Sequence, residues 1–266
     1  MHLKRWLTGI VAVPVLIYII GFGPRWLFHG ILFLASVFGL IEFFDISSSK
    51  CPAPVRYACI LLTFCLFFFA SRGDFFILPA VIFFWAVIPL SFFMFASGTS
   101  RADAVELSAK AVLAPVYVSL PLCLLVVIDR FPKGNLWIFF LLAVIFCSDT
   151  GAFYFGKVFG KRKLYPSVSP GKTWEGAVGG LLSSLVAAFL FFLFLPIAFF
   201  DVKILGLAAA LSISGQIGDL AESMLKRQYG VKDSGKILPG HGGLLDRVDG
   251  LLFAVPVLYV YLVWSI

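Results

Sequence analysis

The sequence predicts an all-α, polytopic integral membrane protein with about nine transmembrane helices in a single domain over residues 1–266. Three observations carry that prediction. Of the 266 residues, 61% are hydrophobic and 13% charged, where a soluble domain is nearer half apolar and about a quarter charged. The apolar residues, 31 phenylalanines among them, fall in runs such as FCLFFFA and FLFFLFLP. That is more apolar surface than so short a chain can hide from water. The runs are apolar on all sides, without the period-two alternation of a membrane β-strand.

Counting about 20 apolar residues per span, the candidates are 7–24, 26–44, 57–71, 75–96, 111–128, 136–155, 176–198, 204–221 and 248–265. The first begins MHLKRW and has the charge pattern of a signal peptide, with Lys4 and Arg5 ahead of an apolar stretch. No small-x-small cleavage site follows and the second span starts almost at once, so it reads as a retained helix. Nine spans place alternate loops on opposite sides. With the N-terminus inside, the inner segments hold Lys4 and Arg5; Lys50 and Arg56; Arg101 and Lys110; five residues from Lys157 to Lys172; and five from Lys226 to Arg247. The outer loops hold Arg25, Arg72, Arg130, Lys133 and Lys203. Sixteen of the 21 Lys and Arg are thus inside, as the positive-inside rule asks. The net charge of +7 then marks orientation and anionic headgroups and needs no nucleic-acid partner. Of the five cysteines, Cys59, Cys65, Cys123 and Cys147 fall in spans and only Cys51 does not; without a CxxC pair they read as small hydrophobes.

The first 130 residues or so are spans and short loops, whereas polar chemistry gathers in three later clusters. In CSDTGAFYFGKVFGKRKLYPSVSPGKTWEG (147–176), Asp149 follows a long apolar run. A carboxylate there costs at least about 2 kcal/mol, so it is either a helix-end group reaching the interface or a site residue facing the bundle interior. SPGKT resembles part of a P-loop, but the required first glycine is Pro166 and no strand is expected before it. It reads as a basic loop in which Lys172, beside Gly171, is the phosphate candidate and Lys161, Arg162 and Lys163 are inside anchors. In SISGQIGDLAESMLKRQYG (212–230), Asp219, Glu222 and Ser223 share one helical face, with Lys226 and Arg227 a turn later. Glu222 has the plain alternative of an exposed i,i+4 pair with Lys226. In GHGGLLDRVDG (240–250), Gly242 and Gly243 leave backbone N–H groups open to an anion. Asp246 and Asp249 stand three apart on a helix entering the membrane. Aspartates without thiols, with histidine only at the edge, favour a hard cation such as Mg²⁺ over zinc. All three clusters lie on the inner side, and the physical reading is phosphoryl or nucleotidyl transfer at that face on a substrate partly in lipid.

Residues 223–250, SMLKRQYGVKDSGKILPGHGGLLDRVDG, closely resemble the signature of the phosphatidate cytidylyltransferases, or CDP-diacylglycerol synthases. Ser223, Lys226, Arg227, Lys232, Asp233, His241, Gly242, Gly243, Asp246, Arg247 and Asp249 occupy its places. SDTGAFYFGK and SPGKTWEG resemble companion segments, so the likeness covers 148–250. It implies transfer of a cytidylyl group from CTP to phosphatidate in the membrane, giving CDP-diacylglycerol and pyrophosphate for phospholipid synthesis. It implies Mg²⁺ on Asp219, Asp246 and Asp249, with Asp149 completing the site, and room for a second, monovalent cation. Lys172, Lys226, Arg227, Lys232 and Arg247 would receive phosphate oxygens. The His241–Gly243 backbone would approach a phosphate, and Ser223 would bind rather than attack. A homodimer in the cell's inner (plasma) membrane, with its active site facing the cytoplasm, is also implied.

Two rivals are weighed beside it. A CTP-dependent polyprenol or phytol kinase uses a similar nucleotide but would move the γ-phosphate. A transporter of anionic metabolites would suit the span count, yet would place its site near mid-membrane between related halves. No such repeat is visible here.

Overall fold

The computed structural model describes residues 14–47, 51–96, 100–195, 197, 200–235 and 242–265. Among these, eight helical stretches are long and apolar enough to cross a membrane, and the sheet is one short hairpin. The protein is therefore an all-α, multi-pass integral membrane protein. Helix α1 occupies residues 14–21 of the expected first span, and residues 7–13 lie outside the described residues. There follow α2 (Arg25–Ser47), α3 (Ala53–Arg72), α4 (Leu78–Phe95), α5 (Arg101–Tyr117), α6 (Ser119–Asp129) and α7 (Gly134–Phe159). The hairpin β1 (Lys163–Tyr165) and β2 (Ser169–Thr173) leads to α8 (Trp174–Phe194), α9 (Val202–Gln228) and α10 (Leu245–Ser265). Span 111–128 is a broken helix: α5 and α6 part at Val118, between Pro115 and Pro121, each of which lacks a ladder N–H.

The chain divides into two compact units, Met1–Val127 with Val231–Leu245, and Ile128–Gly230 with Asp246–Ile266. In the first, α2 packs on α3, α3 on α4 and α4 on α5. Lipid supplies no hydrogen-bond partners, so buried hydroxyls pair between helices. Ser36 of α2 and Thr63 of α3 both donate to the Ser119 hydroxyl, at 2.8 and 3.1 Å. Phe33 meets Phe64 and Phe67 edge-on across the α2–α3 seam.

In the second unit α7 and α8 make the most extensive contact. Its seam is lined by buried small residues, Gly151 on α7 and Gly176, Gly179 and Gly180 on α8, which let the two backbones close up. Ser148 and Ser212 share a hydrogen bond of 2.7 Å that ties α7 to α9. The Gln216 amide donates to Ala177 O at 3.2 Å and ties α9 to α8.

The segment expected as a basic loop is instead the hairpin, with Lys163 opposite Thr173 and Tyr165 opposite Ser169. SPGKT is thus itself strand β2. Its end is fixed twice. Thr173 caps α8 by accepting from Gly176 N at 3.1 Å, and the Glu175 carboxylate accepts from Lys161 N and Arg162 N at 3.0 and 3.2 Å. These bonds satisfy N–H groups that a helix start and a strand edge would otherwise leave open.

Candidate active site

Within the second unit, α7, β2, α8, α9 and α10 surround a cavity of about 620 Å³. Helix α7 supplies Asp149 and Lys157, β2 supplies Lys172, α9 supplies Gln216, Asp219, Glu222 and Lys226, and α10 supplies Asp246 and Asp249. Residues from three separate sequence clusters therefore line one space. The helical register explains the choice: on α9, Asp219, Glu222 and Lys226 fall at i, i+3 and i+7 and so share a face.

The α9–α10 approach depends on glycine. A Cβ at Gly218 would run into the backbone oxygen of Asp249 and the Phe253 ring. Only hydrogen at that place lets the two acid-bearing helix segments meet.

Two ion-pair sets organise the charge. Lys172 Nζ stands 2.7 Å from Asp219 Oδ2, with side chains 25% and 42% exposed. Ser223 donates to the other Asp219 oxygen at 3.4 Å, a long bond. Lys226 is held more deeply: its ammonium donates to Glu222 Oε2 at 2.8 Å and Asp246 Oδ1 at 2.6 Å, and Glu222 is only 3% exposed. Glu222 is thus not the exposed partner that its spacing allowed. Its second oxygen, Oε1, is buried without a hydrogen-bond partner among the described residues. Asp249 Oδ1 accepts from Gly250 N at 2.8 Å, and Asp149, Asp219 and Asp249 are near enough to repel one another.

The lining holds five carboxylates (Asp149, Asp219, Glu222, Asp246, Asp249) against three lysines (Lys157, Lys172, Lys226). Hard oxygen donors with two formal negative charges in excess fit a divalent cation such as Mg²⁺, whose charge would cancel the surplus. Among the described residues, no three His, Cys, Asp or Glu side chains are already drawn together at metal-holding distance.

Other expected site residues lie elsewhere. Arg227 donates through Nε to Val168 O at 3.4 Å and so faces the hairpin turn. Ser223 and Arg247 are not among the lining residues. Lys232, Gly242 and Gly243 fold with the first unit, where Gly242 takes a φ of 83° open to glycine. His241 lies outside the described residues.

Lys157, which enters the sequence reading only in the count of inner positive charges, lines the cavity. Its spacing of eight from Asp149, which falls about 80° round the helix and so at the edge of the same broad stripe, is the signal that could have found it. Gln216 had no comparable signal; an amide in a span serves packing equally well.

The sequence model of the Cytidylyltransferase family matches residues 3–265. A phosphatidate cytidylyltransferase of Bacillus subtilis (strain 168) is 34% identical over 265 residues, covering 97% of this chain and 97% of its own length. One from Staphylococcus aureus (strain COL) is 46% identical over 133 residues, half of this chain and 51% of its own. One from Staphylococcus saprophyticus is 47% identical over 131 residues, 49% of this chain and 50% of its own. Matched along nearly its whole length, this chain belongs to the cytidylyltransferase family and is a nucleotidyltransferase of the membrane.

Proposed function

We propose that this protein transfers the cytidylyl group of CTP to phosphatidate, yielding CDP-diacylglycerol and pyrophosphate. The observation that carries this reading is that acids and lysines from α7, β2, α9 and α10 converge on one shared cavity, in a chain of this family. A phosphatidate phosphate oxygen attacks the α-phosphorus of CTP. A new P–O bond forms, the α–β bridging bond breaks, and its electron pair leaves on pyrophosphate. No covalent enzyme intermediate is needed.

Both reactants are anions, so catalysis is chiefly positioning and charge neutralisation. Lys172 and Lys157, both in the lining, receive phosphate oxygens. Lys226 is held by Glu222 and Asp246 and presents a fixed charge. Asp219, Asp246, Asp249 and Asp149 would hold Mg²⁺, and the same acidic lining has the charge to take a monovalent cation beside it. When bound, Mg²⁺ would neutralise phosphate charge and stabilise the departing pyrophosphate.

We place the protein in the plasma membrane with the cavity on the cytoplasmic side, where CTP is available, and as a homodimer. Support comes from the distribution of lysine and arginine for the side, and from family likeness for the assembly.

The test is turnover of purified protein with phosphatidate and each of the four nucleoside triphosphates. Cytidine label should enter the lipid with one pyrophosphate released per transfer. Lipid carrying the γ-phosphate label instead would make the protein a kinase and overturn the reading.

A further inference from the structure

Glu42 lies in the apolar helix α2, far in sequence from every residue of the cavity, and is 3% exposed. Its two carboxylate oxygens are both engaged. Oε1 accepts from Leu244 N at 2.9 Å, and Oε2 accepts from Leu245 N at 2.9 Å and from the Ser234 hydroxyl at 3.2 Å. Leu245 begins α10 and Leu244 directly precedes it, so these are N–H groups that the helix cannot satisfy itself. A carboxylate at a helix N-terminus also meets the positive end of its dipole. Space has been left for it: a Cβ at Gly235 or Gly243 would collide with the Glu42 carboxylate. The same face of α2 grips the side chain, because the Leu245 side chain packs against Gly39, where a Cβ would lie 3.2 Å from it.

We propose that Glu42 is a positioning residue for the transfer reaction, clamping Ser234 and the Leu244 and Leu245 N–H groups so that α10 starts at one fixed place. Asp246 follows Leu245 directly in that helix and Asp249 comes one turn later. A shift in the helix start therefore moves both. An apolar residue at position 42 would avoid the cost of burying a charge, but could not fix two backbone N–H groups and a hydroxyl at one point. The turnover part of this inference rests on the cytidylyltransferase reading; the clamp itself does not.

The experiment compares full-length wild-type protein with Glu42→Gln and Leu40→Ala in detergent micelles, by turnover, thermal unfolding and amide exchange. Glutamine keeps the shape but offers one acceptor oxygen and turns an NH₂ group toward N–H donors. Leu40 is fully buried in the same helix and is not among the residues that line the cavity. For Glu42→Gln, kcat should fall at least tenfold with KM for CTP within threefold. Exchange at Leu244 and Leu245 should quicken at least tenfold, while α3 amides keep their rates. Leu40→Ala should lower the unfolding midpoint at least as far yet keep turnover within threefold at a temperature where it is folded. Glu42→Gln turnover within twofold of wild type, or equal losses in the two variants, would overturn the proposal. If Glu42→Gln does not fold, Ser234→Ala removes one donor and must show quickened exchange at 244–245 with a two- to fivefold loss of kcat; unchanged values overturn the proposal equally. Absence of cytidylyl transfer by wild type would sink the reaction assignment alone, since the exchange arm still reads the clamp.

Discussion

Lys172 and Lys226 both pair with acids in the cavity, but their surroundings differ enough to separate binding from folding. Lys172 faces Asp219, which is 42% exposed and can take up water once its partner is gone. Lys172→Ala should therefore lower kcat/KM about 100-fold, the scale of one lost charge donor, and change stability by less than about 1 kcal/mol. Lys226 is 14% exposed and compensates two acids that are 3% and 12% exposed. Lys226→Ala strands both, which costs on the order of 3–5 kcal/mol and should depress the unfolding midpoint as well as activity. Unfolding scans beside steady-state kinetics check the pair. Equal midpoint losses would mean that Lys172 is structural. The acids of α10 form a second pair of tests. Asp246→Asn and Asp249→Asn should each remove most turnover and raise the Mg²⁺ concentration for half-maximal rate in whatever activity remains. If they act as a unit, the double change costs little beyond the worse single one. Near-normal turnover with an unchanged Mg²⁺ dependence would remove them from the metal site.

Between α9 and α10 the decisive feature is a missing side chain. Gly218→Ala places a methyl against Asp249 O and the Phe253 ring. Overpacking of this kind costs about 1–3 kcal/mol, and a shift near 1 Å at a reacting centre costs about 100-fold in rate. Gly206→Ala on the same helix meets nothing within 4 Å. It should be neutral or stabilising by up to about 1 kcal/mol through helix propensity. Similar activities in the two variants would show that close approach at Gly218 is not needed. The helices themselves were legible because apolar runs of span length leave few alternatives, but their ends were not. Span 204–221 continues as helix to Gln228, since backbone hydrogen bonding persists where apolarity stops. The hairpin escaped notice because strands of three and five residues carry too little alternation to register. Asp149 and Asp219 could be read as site candidates from acids that follow apolar runs, and Asp246 and Asp249 from their spacing of three at the mouth of the last span. Glu42 also breaks an apolar run, in GLIEFFD, but its partners lie some 200 residues away and no local pattern points to them.

For the whole molecule the central question is sidedness, because a lipid substrate and a soluble nucleotide must reach one cavity from the same face. Under the positive-inside rule, the Lys and Arg distribution predicts segment 156–175 inside and the turn after α3 outside. Single cysteines test this in a background where the five native ones are replaced. Ser167 is exposed in the hairpin turn between β1 and β2, and Asp74 is exposed just beyond the end of α3. Both can take a cysteine without disturbing a described helix. Ser234 is a poor choice despite its place in the other inner segment, since it is buried against Glu42. With a membrane-impermeant maleimide, Asp74→Cys should label in intact cells, and Ser167→Cys only once the membrane is opened. Both variants should retain cytidylyl transfer, which ties the labelling pattern to a functional fold. Labelling of Ser167→Cys from outside intact cells would invert the topology. It would separate the cavity from cytoplasmic CTP and defeat the proposed orientation, whatever the chemistry of the site.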